Sequence, residues 1–125
     1  MTTTESSYVY TLCGSSRFRA AFDLANMHLS LQGHIVIGLG MFGHDDYPGG
    51  ARYLCSDGGE KNATKIMLDL LHFRKIDLSD RVMVINVGGY VGDSTRREIA
   101  YARECGKDVV WMFPDAVPAE LEATA

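Results

Sequence analysis

Two short stretches of the chain hold residue types that can do chemistry together. The first is Gly14-Ser15-Ser16-Arg17. It follows an apolar run and precedes a helical pattern, so it reads as a strand-to-helix turn. Helix N-termini offer free N–H groups and a partial positive charge, which suit a phosphate or a carboxylate. Here Gly14 admits a close backbone approach, Ser15 and Ser16 add hydroxyls, and the Arg17 guanidinium can fork onto a phosphate. The plainer reading is that Ser15 or Ser16 caps the helix. The second stretch runs Gly88-Gly89-Tyr90-Val91-Gly92-Asp93-Ser94-Thr95-Arg96-Arg97-Glu98. Gly88, Gly89 and Gly92 mark backbone that folds tightly or meets a ligand. Glu98 then falls in the first turn of the next helix, where the dipole favours its ionised form. A positioned carboxylate can attack an electrophilic sugar carbon and form a covalent intermediate. Spacing alone favours the plainer account here too, because Thr95-x-x-Glu98 is a capping box.

Other motifs carry less. Gly38-Leu39-Gly40-Met41-Phe42-Gly43 fits G-x-G-x-x-G after a strand. The helix that a dinucleotide site requires does not follow, since His44-Asp45-Asp46-Tyr47-Pro48-Gly49-Gly50 breaks helices. His44, Asp45 and Asp46 are metal-ligand types, but adjacent residues rarely converge on one ion and a solvated loop accounts for them. Tyr47 and Tyr53 are stacking residues in type, in a loop where exposed tyrosines are commoner. His72 lies near an apolar helical stripe and reads as a packing histidine, Trp111 and Phe113 read as core, and Cys13 ends a buried strand with no sign of activation. There is neither a G-x-S-x-G elbow nor a P-loop.

The elements that must hold these turns follow from periodicity. Residues 8–13, 34–39, 82–87 and 108–113 are apolar strand-like runs. Helical spacing links Phe18, Ala21, Phe22, Ala25 and Leu29, closed by Gly33, and then Ala63, Ile66, Met67, Leu70 and Leu71. A third helix spans residues 94–104, closed by Gly106, and a short one residues 119–123. Continuous apolar strands alternating with helices mean a parallel sheet covered on both faces. The predicted fold is a small doubly wound (Rossmann-like or flavodoxin-like) three-layer α/β sandwich with a four- to five-stranded parallel sheet, of order 2-1-3-4. Ligands of such sheets bind beyond the carboxyl ends of the strands where the order reverses, which selects the turns after strands one and three. The long Gly40–Gly59 stretch is a loop able to close over that place.

The 125 residues suffice for one domain over 8–125, with residues 1–7 as a loose polar leader. A 46% apolar and 22% charged composition is that of a globular chain. With 12 Lys plus Arg against 16 Asp plus Glu, the net charge of −4 disfavours a nucleic-acid partner. No run is apolar enough for a membrane span and no signal-peptide pattern opens the chain. Cys13, Cys55 and Cys105 are odd in number and widely spaced, which argues against a disulfide framework and for a reducing cytoplasm.

Taken together, the two turns resemble the nucleoside 2-deoxyribosyltransferase superfamily, in particular its short branch akin to the 2′-deoxynucleoside 5′-phosphate N-hydrolases. The likeness rests on Lys75-Ile76-Asp77-Leu78-Ser79-Asp80, on Val87 through Ala102 with its Tyr90, Gly92, Ser94, Thr95, Glu98 and Tyr101, and on Leu12-Cys13-Gly14-Ser15-Ser16-Arg17. It covers residues 8–113. Cytokinin-activating phosphoribohydrolases share an early C-G-S-S and a later glycine-rich T-x-x-E. Here Val87 replaces their proline, and the insert Tyr90-Val91-Gly92-Asp93-Ser94 is longer.

The resemblance implies cleavage, by hydrolysis or transfer, of the N-glycosidic bond of a nucleoside or its 5′-monophosphate. Glu98 then becomes the nucleophile at C1′. The Gly14–Arg17 turn cradles the sugar or its phosphate, with Ser94 and Thr95 meeting the same group beside Gly89 and Gly92. An acidic helper precedes the third strand: Asp80 first, then Asp77, then Asp69. The resemblance further implies no metal or organic cofactor and a homodimer or larger assembly. The alternative is a Rossmann-like module that binds a nucleotide without cleaving it.

Overall fold

The computed structural model describes residues 7–42 and 63–122. Four strands, β1 (Val9–Cys13), β2 (Ile35–Ile37), β3 (Arg81–Val84) and β4 (Asp108–Trp111), form one parallel sheet in the order β2-β1-β3-β4. Three helices connect them: α1 (Arg19–Leu31), α2 (Ala63–Asp77) and α3 (Asp93–Glu104). This is the expected α/β sandwich, with four strands. The strands are shorter than predicted, by up to three residues at their carboxyl ends, while β1 ends and β4 begins as predicted and β3 begins one residue earlier.

Strand parity sorts the core into layers. Tyr10, Leu12, Met83 and Ile85 face α1 and pack on Phe22, Ala25 and Leu29. Cys13, Val82 and Val84 face the other way, toward Ile76 of α2 and Ile99 and Ala102 of α3. Thr11 shares that second face, and its hydroxyl donates to the Lys75 carbonyl at 3.0 Å, fastening α2 to β1. The crossovers through α1 and α3 end alike. Gly33 and Gly106 adopt positive φ after α1 and α3, and the N–H groups around them cap the last carbonyls.

The α2 helix is turned opposite to its apolar pattern. Ile66, Met67, Leu70 and Leu71 are exposed among the described residues, Met67 by 52% and Leu70 by 57%. The inward face carries Lys65, Asp69, His72 and Ile76 instead, one residue per turn of the helix. Trp111 is half-buried and Phe113 is exposed, so Phe113 is not core as its type implies. Its backbone is what matters. Asn86 is fully buried just past β3, and its amide donates to the carbonyls of Phe113 (2.9 Å) and Ala116 (3.2 Å) and accepts from the Phe113 N–H (3.0 Å).

Asn86 thus ties the segment after β4 to the turn that opens toward α3. Replacing it with Ala removes three part-buried hydrogen bonds to that segment, at a cost of about 2–4 kcal/mol. The expected result for Asn86→Ala is a lower urea midpoint with an unchanged slope. A midpoint equal to that of the parent chain would show that the tail is held by other contacts.

Candidate active site

A cavity of about 380 Å³ opens at the carboxyl ends of β1 and β3, where the strand order reverses. The turn after β1 supplies Gly14, Ser15, Ser16 and Arg17. The stretch before and into α3 supplies Tyr90, Gly92, Asp93, Ser94, Thr95 and Glu98. The inward face of α2 supplies Lys65, Asp69, His72 and Lys75, and Leu39 and Met41 close the side beyond β2. Both turns singled out in the sequence therefore border one space.

The first turn holds itself rather than the helix. The Ser15 hydroxyl accepts from the Arg17 N–H at 3.2 Å, and its carbonyl accepts from the Phe18 N–H at 3.1 Å. Neither serine caps α1, whose N-cap is Phe18 with no side-chain cap. Gly14 is required here because a Cβ would sit 3.0 Å from Ile85 Cβ and 3.1 Å from the Ile85 carbonyl. Arg17 is exposed, with its guanidinium 5.2 Å from the centre of the Tyr90 ring. Tyr90 in turn meets Phe18 edge-on at 5.9 Å.

The capping-box reading of Thr95 and Glu98 does not hold. The N-cap of α3 is Gly92, and no side chain caps it. Its first helical bond runs from the Arg96 N–H to the Gly92 carbonyl, so Glu98 lies in the second turn rather than the first. There it is only 9% exposed and faces the cavity. The expectation that the helix dipole keeps it ionised is also overturned. Burial raises its pKa to about 8, and the negative charge of Asp69 adds to the rise. A hydrogen bond from Cys13 and the charges of Lys65 and Arg97 work the other way.

Behind Glu98 stand two more buried groups. His72 Nε2 lies 3.9 Å from Glu98 Oε1 and 3.5 Å from Cys13 Sγ. Burial, helped by the charge of Lys75, lowers the His72 pKa to about 4, so the imidazole is neutral at pH 7. Burial and then the Glu98 charge push the Cys13 thiol well above its ordinary value. His72 is thus buried as its apolar surroundings imply, but on the cavity wall.

Of the three acidic candidates, Asp69 lines the cavity and Asp80 and Asp77 do not. Asp80 is exposed at the entry to β3, the opposite end of the sheet from the cavity, and binds the Val9 backbone N–H at 2.9 Å. Asp77 accepts from the Tyr101 hydroxyl on the outer surface. Asp69 lines the cavity, paired with Lys65 at 2.9 Å, while Lys65 also donates to Ser94 Oγ at 3.3 Å. Arg97 donates to the same hydroxyl at 3.2 Å. Lys75 reaches the Gly38 and Leu39 carbonyls at 2.9 and 3.1 Å and so holds the end of β2 against α2. Gly89 is set back from the cavity, beside the Ala116 carbonyl.

Lys65, Asp69, Lys75 and Tyr90 also line the cavity; motif reading names no site role for Lys65 or Lys75, ranks Asp69 behind Asp80 and Asp77, and holds Tyr90 only as part of the glycine-rich stretch. The signal available for the first three is their spacing with His72 at four, three and three residues, which is one helical stripe. His44, Asp45, Asp46, Tyr47 and Tyr53 lie outside the described residues, as does most of the Gly40–Gly59 loop. Among the described residues, no helix is long and apolar enough to cross a membrane. Comparison with protein-family models, curated proteins and solved structures finds no match for this chain.

The two perturbed groups predict how stability depends on pH. The folded pKa of His72 lies below its unfolded value, so its contribution is full above pH 6.5 and is lost as pH falls toward 4. The folded pKa of Glu98 lies above its unfolded value, so stability is lost as pH rises from 4.5 through about 8. In Glu98→Gln this alkaline loss disappears. The urea midpoint of the variant relative to the parent is expected to climb between pH 5 and 8 and then level off. Parallel profiles for the two chains would contradict the burial of an ionisable Glu98.

Proposed function

We propose that this protein cleaves the N-glycosidic bond of a nucleoside or nucleoside 5′-monophosphate, with Glu98 as the nucleophile at C1′. The observation that carries this reading is a buried carboxylate facing a cavity bordered by two glycine-containing turns, with a second carboxylate, Asp69, on the facing helix. Departure of a base leaves positive charge on the sugar ring. An ionised carboxylate in a water-poor setting stabilises that charge far better than one in bulk water. The desolvation that makes Glu98 hard to ionise is the same property that makes its anion effective here.

Each neighbour has a role in this scheme. Glu98 attacks C1′, the C1′–N bond breaks, and the leaving base takes its proton from a solvent water oriented by the ionised, Lys65-paired Asp69, which leaves hydroxide for the second step. Water or an acceptor base then releases the sugar from Glu98. The Ser15 and Ser16 turn and the uncapped start of α3, with Ser94 and Thr95, offer donors to the sugar hydroxyls or a 5′-phosphate. Arg17, held over Tyr90 at the rim, is placed to meet the phosphate, and the Tyr90 face offers the base a stacking surface. A homo-oligomer that completes the site belongs to the same proposal.

The test is release of free base from a panel of ribo- and deoxyribonucleosides and their monophosphates, followed by chromatography in chelator-containing buffer. Release is expected, with Glu98→Gln lowering it by at least about 10³-fold in a folded chain. Binding without release, unchanged in Glu98→Gln, would overturn the reading in favour of a nucleotide-binding module. The pH profile is a second check. In the free enzyme kcat/KM is expected to rise with pH and level off above about 8, as Glu98 ionises. Asp69→Asn is expected to cost about 10²-fold and to move that limb to lower pH, because the charge that raises Glu98 is gone. A limb that stays in place would separate Asp69 from Glu98.

A further inference from the structure

We propose that Cys13, His72 and Glu98 form a binding site for one thiophilic divalent cation of the zinc class. Three different donors arrive here from three elements: the end of β1, the inward face of α2 and the second turn of α3. Their ligand atoms all lie within 4.8 Å of one another. Tetrahedral coordination with bonds of about 2.0–2.3 Å sets donor atoms about 3.3–3.8 Å apart. The sulfur–nitrogen separation of 3.5 Å already has that value, and the nitrogen–oxygen separation of 3.9 Å needs only a small rotation of the carboxylate.

The donor chemistry selects the ion. Calcium and magnesium require sets of oxygen ligands, whereas sulfur, imidazole and one carboxylate suit zinc or cobalt. Charge is balanced as well. Cys13 gives up its thiol proton, and Glu98 its carboxyl proton below about pH 8, to solvent on binding, and thiolate plus carboxylate neutralise the two positive charges in a buried place. His72 and Glu98 line the cavity, so the fourth coordination position faces its interior and can take water or a ligand atom.

Such an ion uses the carboxylate that the glycosidic reading requires free. Metal binding and base release then exclude one another, and this one consequence rests on that reading. The site itself is tested without substrate. In the full chain with Cys55→Ser and Cys105→Ser, so that Cys13 is the only thiol, one equivalent of cobalt(II) is expected to bind. It should give a near-ultraviolet thiolate-to-cobalt band and the visible absorption of a four-coordinate site, both removed by stoichiometric zinc.

Cys13→Ser is expected to abolish the band. His72→Gln and Glu98→Gln, which keep size and polarity, are expected to weaken binding about tenfold or more with an unchanged circular dichroism spectrum. Absence of a saturable band in the Cys13-only chain would overturn the site. So would binding indifferent to both His72→Gln and Glu98→Gln. In the release assay, zinc should suppress activity and a chelator restore it. If no base is released under any condition, the glycosidic reading fails while the cobalt spectrum still decides the metal site.

Discussion

The placement of the Glu98 carboxylate, nine-tenths shielded from water with its oxygen 3.9 Å from His72, is the constraint on which the rest of the structure depends. An acid of this kind is costly to bury, and the fold offsets the cost only in part. The Cys13 hydrogen bond and the charges of Lys65 and Arg97 favour the anion, while Asp69 opposes it. The balance leaves the group near its ionisation point at slightly alkaline pH. A residue kept at such expense marks a functional position more often than a structural one.

The sheet explains why the groups meet. Strand parity sends Cys13 to the face covered by α2 and α3, one residue beyond Leu12, which faces α1. The order reversal between β1 and β3 leaves a gap above their carboxyl ends. Gly14 lets the first turn lie against Ile85, and Asn86 holds the segment after β4 clear of the gap. The inward polar face of α2 then completes the wall. Its ion pair between Lys65 and Asp69 links to α3 through Ser94, so that the two helices share a single polar network.

The architecture was legible because strand and helix periods alternate cleanly and the glycines at 33 and 106 end helices in the usual way. The meeting of the two turns was legible from topology, since parallel crossovers allow few arrangements. The orientation of α2 was not. Ile66, Met67, Leu70 and Leu71 form the more apolar stripe, yet the helix turns His72 and Asp69 inward. Periodicity assumes that the apolar side is the buried side, and a cavity wall breaks that rule. The choice of Asp80 failed for a related reason. Proximity in sequence to β3 places it at the strand's entry, a full strand length from the cavity, whereas Asp69 reaches the cavity through the pitch of α2. Glu98 was found by motif, but its local setting was misjudged by one turn, because Gly92 rather than Thr95 begins the helix.

The central claim concerns a bond between Glu98 and a sugar, and intact-protein mass spectrometry after rapid acid quench addresses that bond directly. With a nucleoside or monophosphate that undergoes base release, the chain is predicted to gain the mass of one sugar less one water, with its phosphate where present, and proteolysis places the gain on the peptide that contains Glu98. The same reaction in Glu98→Gln is predicted to leave the mass unchanged. An adduct on a different peptide, or turnover with no adduct at any quench time, would contradict the account.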